Sequence, residues 1–504
     1  MKYLILIIMV ISSFSCKVKV ESPNIIYILA DDLGYGELGV YGQEIIETPN
    51  IDSLARDGML FTQHYSGSAV CAPSRSVLLT GKHSGHTHIR GNDEWRSRGD
   101  VWNFVSASND ASLEGQRPLL DSIVTFAEVI QEHGYETAFI GKWGLGAPGT
   151  EGIPNNQGFD YFFGYNCQRQ AHTLYPMHLW EDQKKIKLDN IAVSPHTGLI
   201  EGDDPNDESS YDRFSLNEYA PDVMHDRAIT FIEENATDPF FLLYASPLPH
   251  VPLQAPKKWV DHYINKLGPE VPYVGKSYFP DRTPRATYAA MISALDEQVG
   301  DLVKTLRRHD LLDNTMIIFT SDNGPTYAGG ADTRFFDSAH PFSSEHGKAK
   351  GFLTEGGIRV PMVVSWKGKI SPMSKTDHLS GFQDVFPTVL EACGVNQLVD
   401  TDGISFLNVL LGKEQYNTHE YLYWEIPEYG GQQAVRIGHY KAIRKDMFKG
   451  NLEVEVYDLS TDPQEREDVA HNYPSIVDQA EKIMSAEHVI SSLEGFRFPI
   501  IDNE

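Results

Sequence analysis

Cysteine is scarce in this chain, with four among 504 residues. A disulfide framework is therefore excluded, and stability has to come from a buried core, which a chain of this length can build. Basic charge is also short. Lys and Arg number 42 against 70 Asp and Glu, a formal net charge of −28. That balance lacks the basic footprint nucleic-acid binding requires, and an acidic surface serves solubility. No repeat of solenoid period is present. The apolar run at residues 4–11 is too short for a spanning helix, which needs about 20 residues.

What is present is a set of short apolar runs that end in polar residues. Asn24-Ile25-Ile26-Tyr27-Ile28-Leu29-Ala30 meets Asp31-Asp32, and Thr315-Met316-Ile317-Ile318-Phe319-Thr320 leads to Asp322-Asn323-Gly324. Thr137-Ala138-Phe139-Ile140 reaches Gly141-Lys142-Trp143, and Phe240-Phe241-Leu242-Leu243-Tyr244 precedes Pro249-His250-Val251-Pro252. Runs of this kind predict strands buried on both faces. In an open α/β sheet the ligand sits beyond the carboxyl ends of such strands, so these distant positions are expected to meet in one crevice. Asp31, Asp32, Asp322 and Asn323 offer hard oxygen atoms, which suit calcium or magnesium better than zinc. Taken singly, a D-D or D-N-G pair is as well explained by a turn or helix cap.

Cys71-Ala-Pro-Ser-Arg75, with Thr80-Gly81-Lys82 downstream, carries the C-x-P-S-R and T-G-[RK] signature, and here the chain resembles the type I sulfatases. The run Lys350-Gly-Phe-Leu-Thr-Glu-Gly-Gly-Ile-Arg-Val-Pro361 is similar to that family's K-G-x-x-x-E-G-G-x-R-V-P block. The resemblance implies an alkaline-phosphatase-like α/β fold, a central mixed sheet flanked by helices with a smaller C-terminal antiparallel-sheet subdomain. It also implies that Cys71 is oxidised to formylglycine by a maturation enzyme. The hydrated aldehyde has one hydroxyl to attack sulfur and a second to expel the product, whereas a serine would retain a stable sulfate ester. Calcium, with magnesium the lesser choice, would be held by Asp31, Asp32, Asp322, Asn323 and residue 71. Arg75, Lys142 and Lys350 would clamp sulfate oxygens, and His250 would protonate the leaving oxygen. Lys348 is the weaker match to the family lysine.

One position departs from the family. Its usual G-K-W-H-L-G reads Gly141-Lys142-Trp143-Gly144-Leu145-Gly146, so the histidine that assists breakdown of the sulfated intermediate is missing. His172 is the candidate replacement or a substrate contact. Substrate selection is expected in the polar insertions 95–116 and 186–219, in the Arg90-Gly91-Asn92 turn, where Arg90 and Asn92 are candidate substrate ligands, and in the stretch 175–180.

Alternating strands and helices run to about residue 413, including a helix whose Leu295, Val299, Leu302 and Leu306 recur at helical spacing. A second helix is expected over 381–393. From 414 the texture changes to short alternating runs, which predicts a small antiparallel sheet and a final helix. The division is thus a leader at 1–16, a catalytic domain at 22–413 and a subdomain at 414–504. In the leader, Lys2, the apolar stretch 4–11 and the small residues after it have the build of a secretion signal. Ser13-Phe14-Ser15-Cys16 resembles a bacterial lipobox, with Ser13 where leucine is usual. Export to the periplasm, or outer-membrane anchoring through a lipid on Cys16, is expected, with a plain cleaved signal as the alternative. Cys167 and Cys393 allow at most one disulfide and are expected as buried thiols.

The functional expectation is hydrolysis of a sulfate monoester, with a sulfated sugar of a glycan favoured by analogy with exported bacterial relatives. A phosphodiesterase or phosphonate monoester hydrolase of the same superfamily, and a non-catalytic protein that binds sulfated glycans, are the alternatives.

Overall fold

The first strand, Asn24–Ala30, forms from the apolar run that follows Asn24 and is buried along its whole length. Its side chains alternate between two cores. Ile26 and Ile28 pack with the long helix Pro284–Arg308, while Ile25, Tyr27 and Leu29 pack with the helix Cys71–Thr80. This period of two is what a strand in the middle of a three-layer α/β stack produces. Leu295, Val299, Leu302 and Leu306 all lie on the buried face of the long helix, as their spacing predicts.

The computed structural model describes residues 22–502; the leader 1–16, including Cys16, lies outside the described residues. The main sheet has ten strands. From one edge they are Ser374–Thr376, Met59–Phe61, Met362–Trp366, Thr315–Ser321, Asn24–Ala30, Phe240–Ala245, Glu136–Lys142, Tyr161–Tyr165, His178–Glu181 and Lys184–Lys187. The five strands from Thr315–Ser321 to Tyr161–Tyr165 are mutually parallel, with antiparallel pairing on either side of them. The sheet is therefore mixed, and all four strands singled out from sequence sit in its parallel centre.

A separate four-stranded antiparallel sheet follows, with Tyr421–Ile426, Gln432–Ile437, Tyr440–Arg444 and Glu455–Asp458 in order. One face is covered by the helix Pro474–Glu487, whose Ala480, Ile483 and Met484 meet Val435, Ala442 and Val456. The other face brings Leu422, Trp424 and Ile426 against Tyr65, Ala69 and Val70, the residues that lead into Cys71. Trp424 Nε1 donates to the Ser66 carbonyl at 2.9 Å. Lys441 is fully buried and pairs at 3.0 Å with Glu355, which also accepts from Tyr65 Oη at 2.8 Å and Arg359 at 2.9 Å. The small sheet thus supports the wall of the crevice from behind.

Two expectations about substrate loops are corrected. The stretch 175–180 is not an open loop. Its second half lies in the strand His178–Glu181, paired on both sides within the main sheet, and His178 and Trp180 are both sealed against Glu114. Arg90 is not a substrate ligand. It is 3% exposed, its guanidinium pairs with Glu425 at 2.7 Å, and it donates to the carbonyls of Thr87 and Val489. A buried arginine with a carboxylate partner ties the catalytic part to the small sheet, and that charge is not available to a ligand. Cys167 and Cys393 are free, buried thiols. No helix among the described residues is long and apolar enough to cross a membrane.

Candidate active site

The four parallel strands deliver their terminal residues to one end of the sheet. Asp31 and Asp32 follow Ala30, Asp322 and Asn323 follow Ser321, Lys142 ends its strand, and His250 follows Ala245 by a short loop. Asp32 adopts φ +68°, a left-handed conformation that Asp tolerates better than most residues and that recurs at functional sites. Gly324 has no alternative, because a Cβ there would lie 1.9 Å from the Gly356 carbonyl oxygen. The D-N-G and E-G-G segments are therefore one packing unit. Cys71 opens a helix in which every residue is buried, and is itself 1% exposed.

Around the Cys71 thiol the structure places Asp31 Oδ1 at 3.3 Å, Lys142 Nζ at 3.5 Å and Lys350 Nζ at 3.7 Å. Lys142 pairs with Asp31 at 2.6 Å, and Lys350 with Asp32 at 2.6 Å. Burial, with the Asp31 carboxylate beside it, pushes the Cys71 thiol well up, so the unmodified side chain is a neutral thiol and a weak nucleophile. Burial alone would raise Asp31, but Lys142, His250 and Arg75 outweigh it and hold that carboxyl well below its usual range. Asp322 is pushed up to about 6 by burial and by Asp31, against the pull of Arg75.

The oxygen donors converge. The Asp32 backbone N–H donates to Asp322 Oδ1 at 3.2 Å, and Asn323 Nδ2 donates to Asp32 Oδ1 at 2.8 Å. Asn323 Oδ1 is buried without a hydrogen-bond partner. Ligand atoms of Asp31, Asp32, Cys71 and His250 all lie within 4.8 Å of one another. Three carboxylates and an orphaned amide oxygen fit a hard divalent cation. His250 enters this cluster, with Nε2 3.7 Å from Asp32 Oδ2 while Nδ1 faces the Val251 carbonyl at 2.5 Å.

Arg75 is at the site in a different role from the expected clamp. Nε and Nη2 both donate to Asp322 Oδ2, at 3.1 and 2.8 Å, and Nη1 donates to the Lys142 carbonyl. It orients an acid and a strand end. Lys348 is turned away, donating to the carbonyls of Gln464 and Glu465. Asn92 is exposed, and its Oδ1 accepts the Ala72 N–H at 3.1 Å, one residue from Cys71.

The space beside Gly144 has been refilled. Gly144 has φ +84°, and a Cβ there would come within 2.9 Å of the Gln168 side chain, which donates to Asn92 Oδ1 at 3.3 Å. His172, from the same Gln168–His172 turn, stacks on His250 with ring centroids 5.4 Å apart and planes 12° apart. Burial, then His250 and Lys142, keep His172 well below the usual histidine range. Two neighbours had no signal in the sequence. Tyr278, held at φ +60°, puts its ring 5.2 Å from His172. Glu428, in the turn between the first two strands of the small sheet, has its carboxyl pushed up to about 7 by burial, with Lys350 close enough to oppose the shift.

A family model described as Sulfatase matches residues 23–395, and one described as N-sulphoglucosamine sulphohydrolase, C-terminal, matches residues 344–488. Arylsulfatase G of Mus musculus is 31% identical over 85% of this chain and 77% of its own length. N-acetylgalactosamine-6-O-sulfatase of Bacteroides thetaiotaomicron is 29% identical over 92% of this chain and 93% of its own. Among solved structures, a protein in complex with its substrate D-glucosamine-2-N,6-O-disulfate superposes with a TM-score of 0.69 at 22% identity, covering 92% of this chain and 97% of that one. With the cysteine helix, the paired lysines and the acidic strand ends already in place, these matches assign the chain to the sulfatase family: it is a type I sulfatase of the alkaline phosphatase superfamily, a sulfuric ester hydrolase.

Proposed function

We propose that the protein releases sulfate from a sulfated sugar at residue 71, after oxidation of Cys71 to formylglycine by a maturation enzyme and with calcium held by Asp31, Asp32, Asp322, Asn323 and residue 71. The observation that carries this reading is the Cys71 side chain set between two lysines and an aspartate, at 3.3–3.7 Å, on a buried helix N-terminus. The modified residue would supply a hydroxyl nucleophile, and the cation would supply Lewis-acid stabilisation of a sulfate oxygen.

The chain's own residues do the rest. Lys142 and Lys350 flank the reacting position, where fixed positive charge stabilises sulfate oxygens as charge shifts toward the leaving group. Arg75 keeps Asp322 and the Lys142 backbone in place. His250 donates its Nδ1–H to the Val251 carbonyl in a hydrogen bond, which leaves Nε2 for the departing oxygen. Burial, then Lys350 and Lys142, hold His250 well below the usual range. An incoming sulfate anion offsets those lysines and favours protonation of Nε2. His172 takes the part of the histidine missing at 144, accepting the proton that must leave before sulfate is expelled. Asn92, exposed beside the helix N-terminus, would serve as a substrate contact.

The sugar assignment is supported by the names of relatives, one an N-acetylgalactosamine-6-O-sulfatase and one solved with a disulfated glucosamine. Export through the leader, with or without a lipid on Cys16, is part of the same reading. The test is release of inorganic sulfate from a sugar sulfate, with the matched phosphate and phosphonate esters as controls. Sulfate release that is lost in Cys71→Ala supports the proposal, and faster cleavage of the phosphorus esters would favour the phosphohydrolase alternative.

A further inference from the structure

Trp102, in the 95–116 insertion, is 49% exposed and is the only large exposed tryptophan among the described residues. Two guanidinium groups lie within cation–π distance of its ring, Arg169 with Cζ 4.8 Å from the centroid and Arg96 at 5.8 Å. Arg169 is 8% exposed. Its Nη2 donates to the Trp102 carbonyl at 2.6 Å, while its Nε is buried without a hydrogen-bond partner. Burial pushes the neighbouring Glu94 carboxyl up to about 8, so at neutral pH it does not cancel the Arg169 charge. On a surface whose formal net charge is −28, this is a local exception.

One short element links the patch to the reaction centre. Arg169 sits in the Gln168–His172 turn, between the residue packed beside Gly144 and the histidine stacked on His250. Its charge acts on both His172 and Tyr278. A flat aromatic ring offers the apolar C–H face of a pyranose a rigid platform at low entropic cost. An arginine with an unused N–H beside that platform is suited to a carboxylate or a sulfate.

We propose that Trp102 and Arg169 form a subsite for the sugar adjoining the one that bears the scissile sulfate, and that this neighbour carries an anion of its own, either a uronic carboxylate or a second sulfate. The proposal rests on the sugar-sulfatase reading above. It makes the enzyme selective for charged oligosaccharide ends over isolated monosaccharide sulfates.

The experiment compares kcat/KM for sulfate release from a simple aryl sulfate, a sulfated monosaccharide, and two disaccharides that carry the same scissile sulfate. One disaccharide has a uronic acid and the other a second sulfate. In wild type a charged disaccharide is preferred by about tenfold or more, equivalent to ~1.4 kcal/mol. The better of the two identifies the anion. Trp102→Ala and Arg169→Ala each collapse that ratio toward one, and Trp102→Phe retains most of it. An unchanged ratio in both alanine variants, or an equal loss on every substrate, would overturn the subsite. Absence of sulfate release from all substrates by the wild-type, matured protein would instead count against the sulfatase reading itself. Trp102 is exposed, so its variants test the idea without depending on the fold, and calorimetric titration of the disaccharides into Cys71→Ala protein gives the same ranking without turnover.

Discussion

At the scale of single residues the site is a balance of buried charges, and in the proposed reaction its two lysines hold the sulfate oxygens. Removing Lys350 leaves Asp32 without its 2.6 Å partner and takes one cation from beside residue 71. Lys350→Ala should lower kcat by about 10²–10³-fold, the loss seen when one preorganised donor is removed. His172→Ala should reduce kcat far more than it raises KM, because a base used only during turnover contributes little to ground-state binding; an unchanged kcat would return the role at 144 to another group. Gly144 gives a third test. With φ +84° and Gln168 at 2.9 Å, Gly144→Ala should cost ~1–3 kcal/mol in chemical unfolding. Gln168→Ala should recover the steric part, a coupling that a double-mutant cycle measures.

At the scale of elements, the sequence told most where an element ends in its own chemistry. Asp31, Asp32, Asp322, Asn323, Lys142 and His250 were legible because each terminates a buried apolar run, and Cys71 and Lys350 because of their family blocks. Contacts made between elements were not legible. Nothing local to Arg90 announces Glu425, 335 positions away, nor does the stretch 175–180 show that Glu114 will cap its two polar aromatics. Tyr278 and Glu428 reach the site only because a loop and a turn of the small sheet fold over it. The junction of the two sheets makes its own prediction. Lys441 and Glu355 are both fully buried, and breaking such a pair from one side leaves an uncompensated charge. Lys441→Ala should therefore lose ~3–5 kcal/mol in urea unfolding, and should lower activity as well, because the same face supports Val70 and the start of the cysteine helix.

At the scale of the whole molecule, stability should fall as pH rises from about 6.5 to about 8. Burial pushes Glu94 up to about 8, and pushes Glu37 and Asp281 up to about 7. Between their ordinary values and these raised ones the folded state binds more protons than the unfolded chain, so the slope of stability with pH is negative. Below about pH 6.5 buried neutral histidines such as His64, lowered to about 3 by burial, act in the opposite sense. The window in which the carboxyls act unopposed is therefore about pH 6.5–8, and Tm should decline across it. A Tm that rose with pH there would contradict the assigned protonation. The acidic surface itself, at a formal −28, is screened beyond about 8 Å at physiological ionic strength, which is how an anionic substrate reaches lysines that act at contact. All of this chemistry depends on what residue 71 has become. The most direct test is peptide mass spectrometry across Cys71 on protein purified from its native host and shown to release sulfate. An aldehyde or its hydrate at position 71 is the predicted result, and an unmodified thiol in fully active protein would contradict the account.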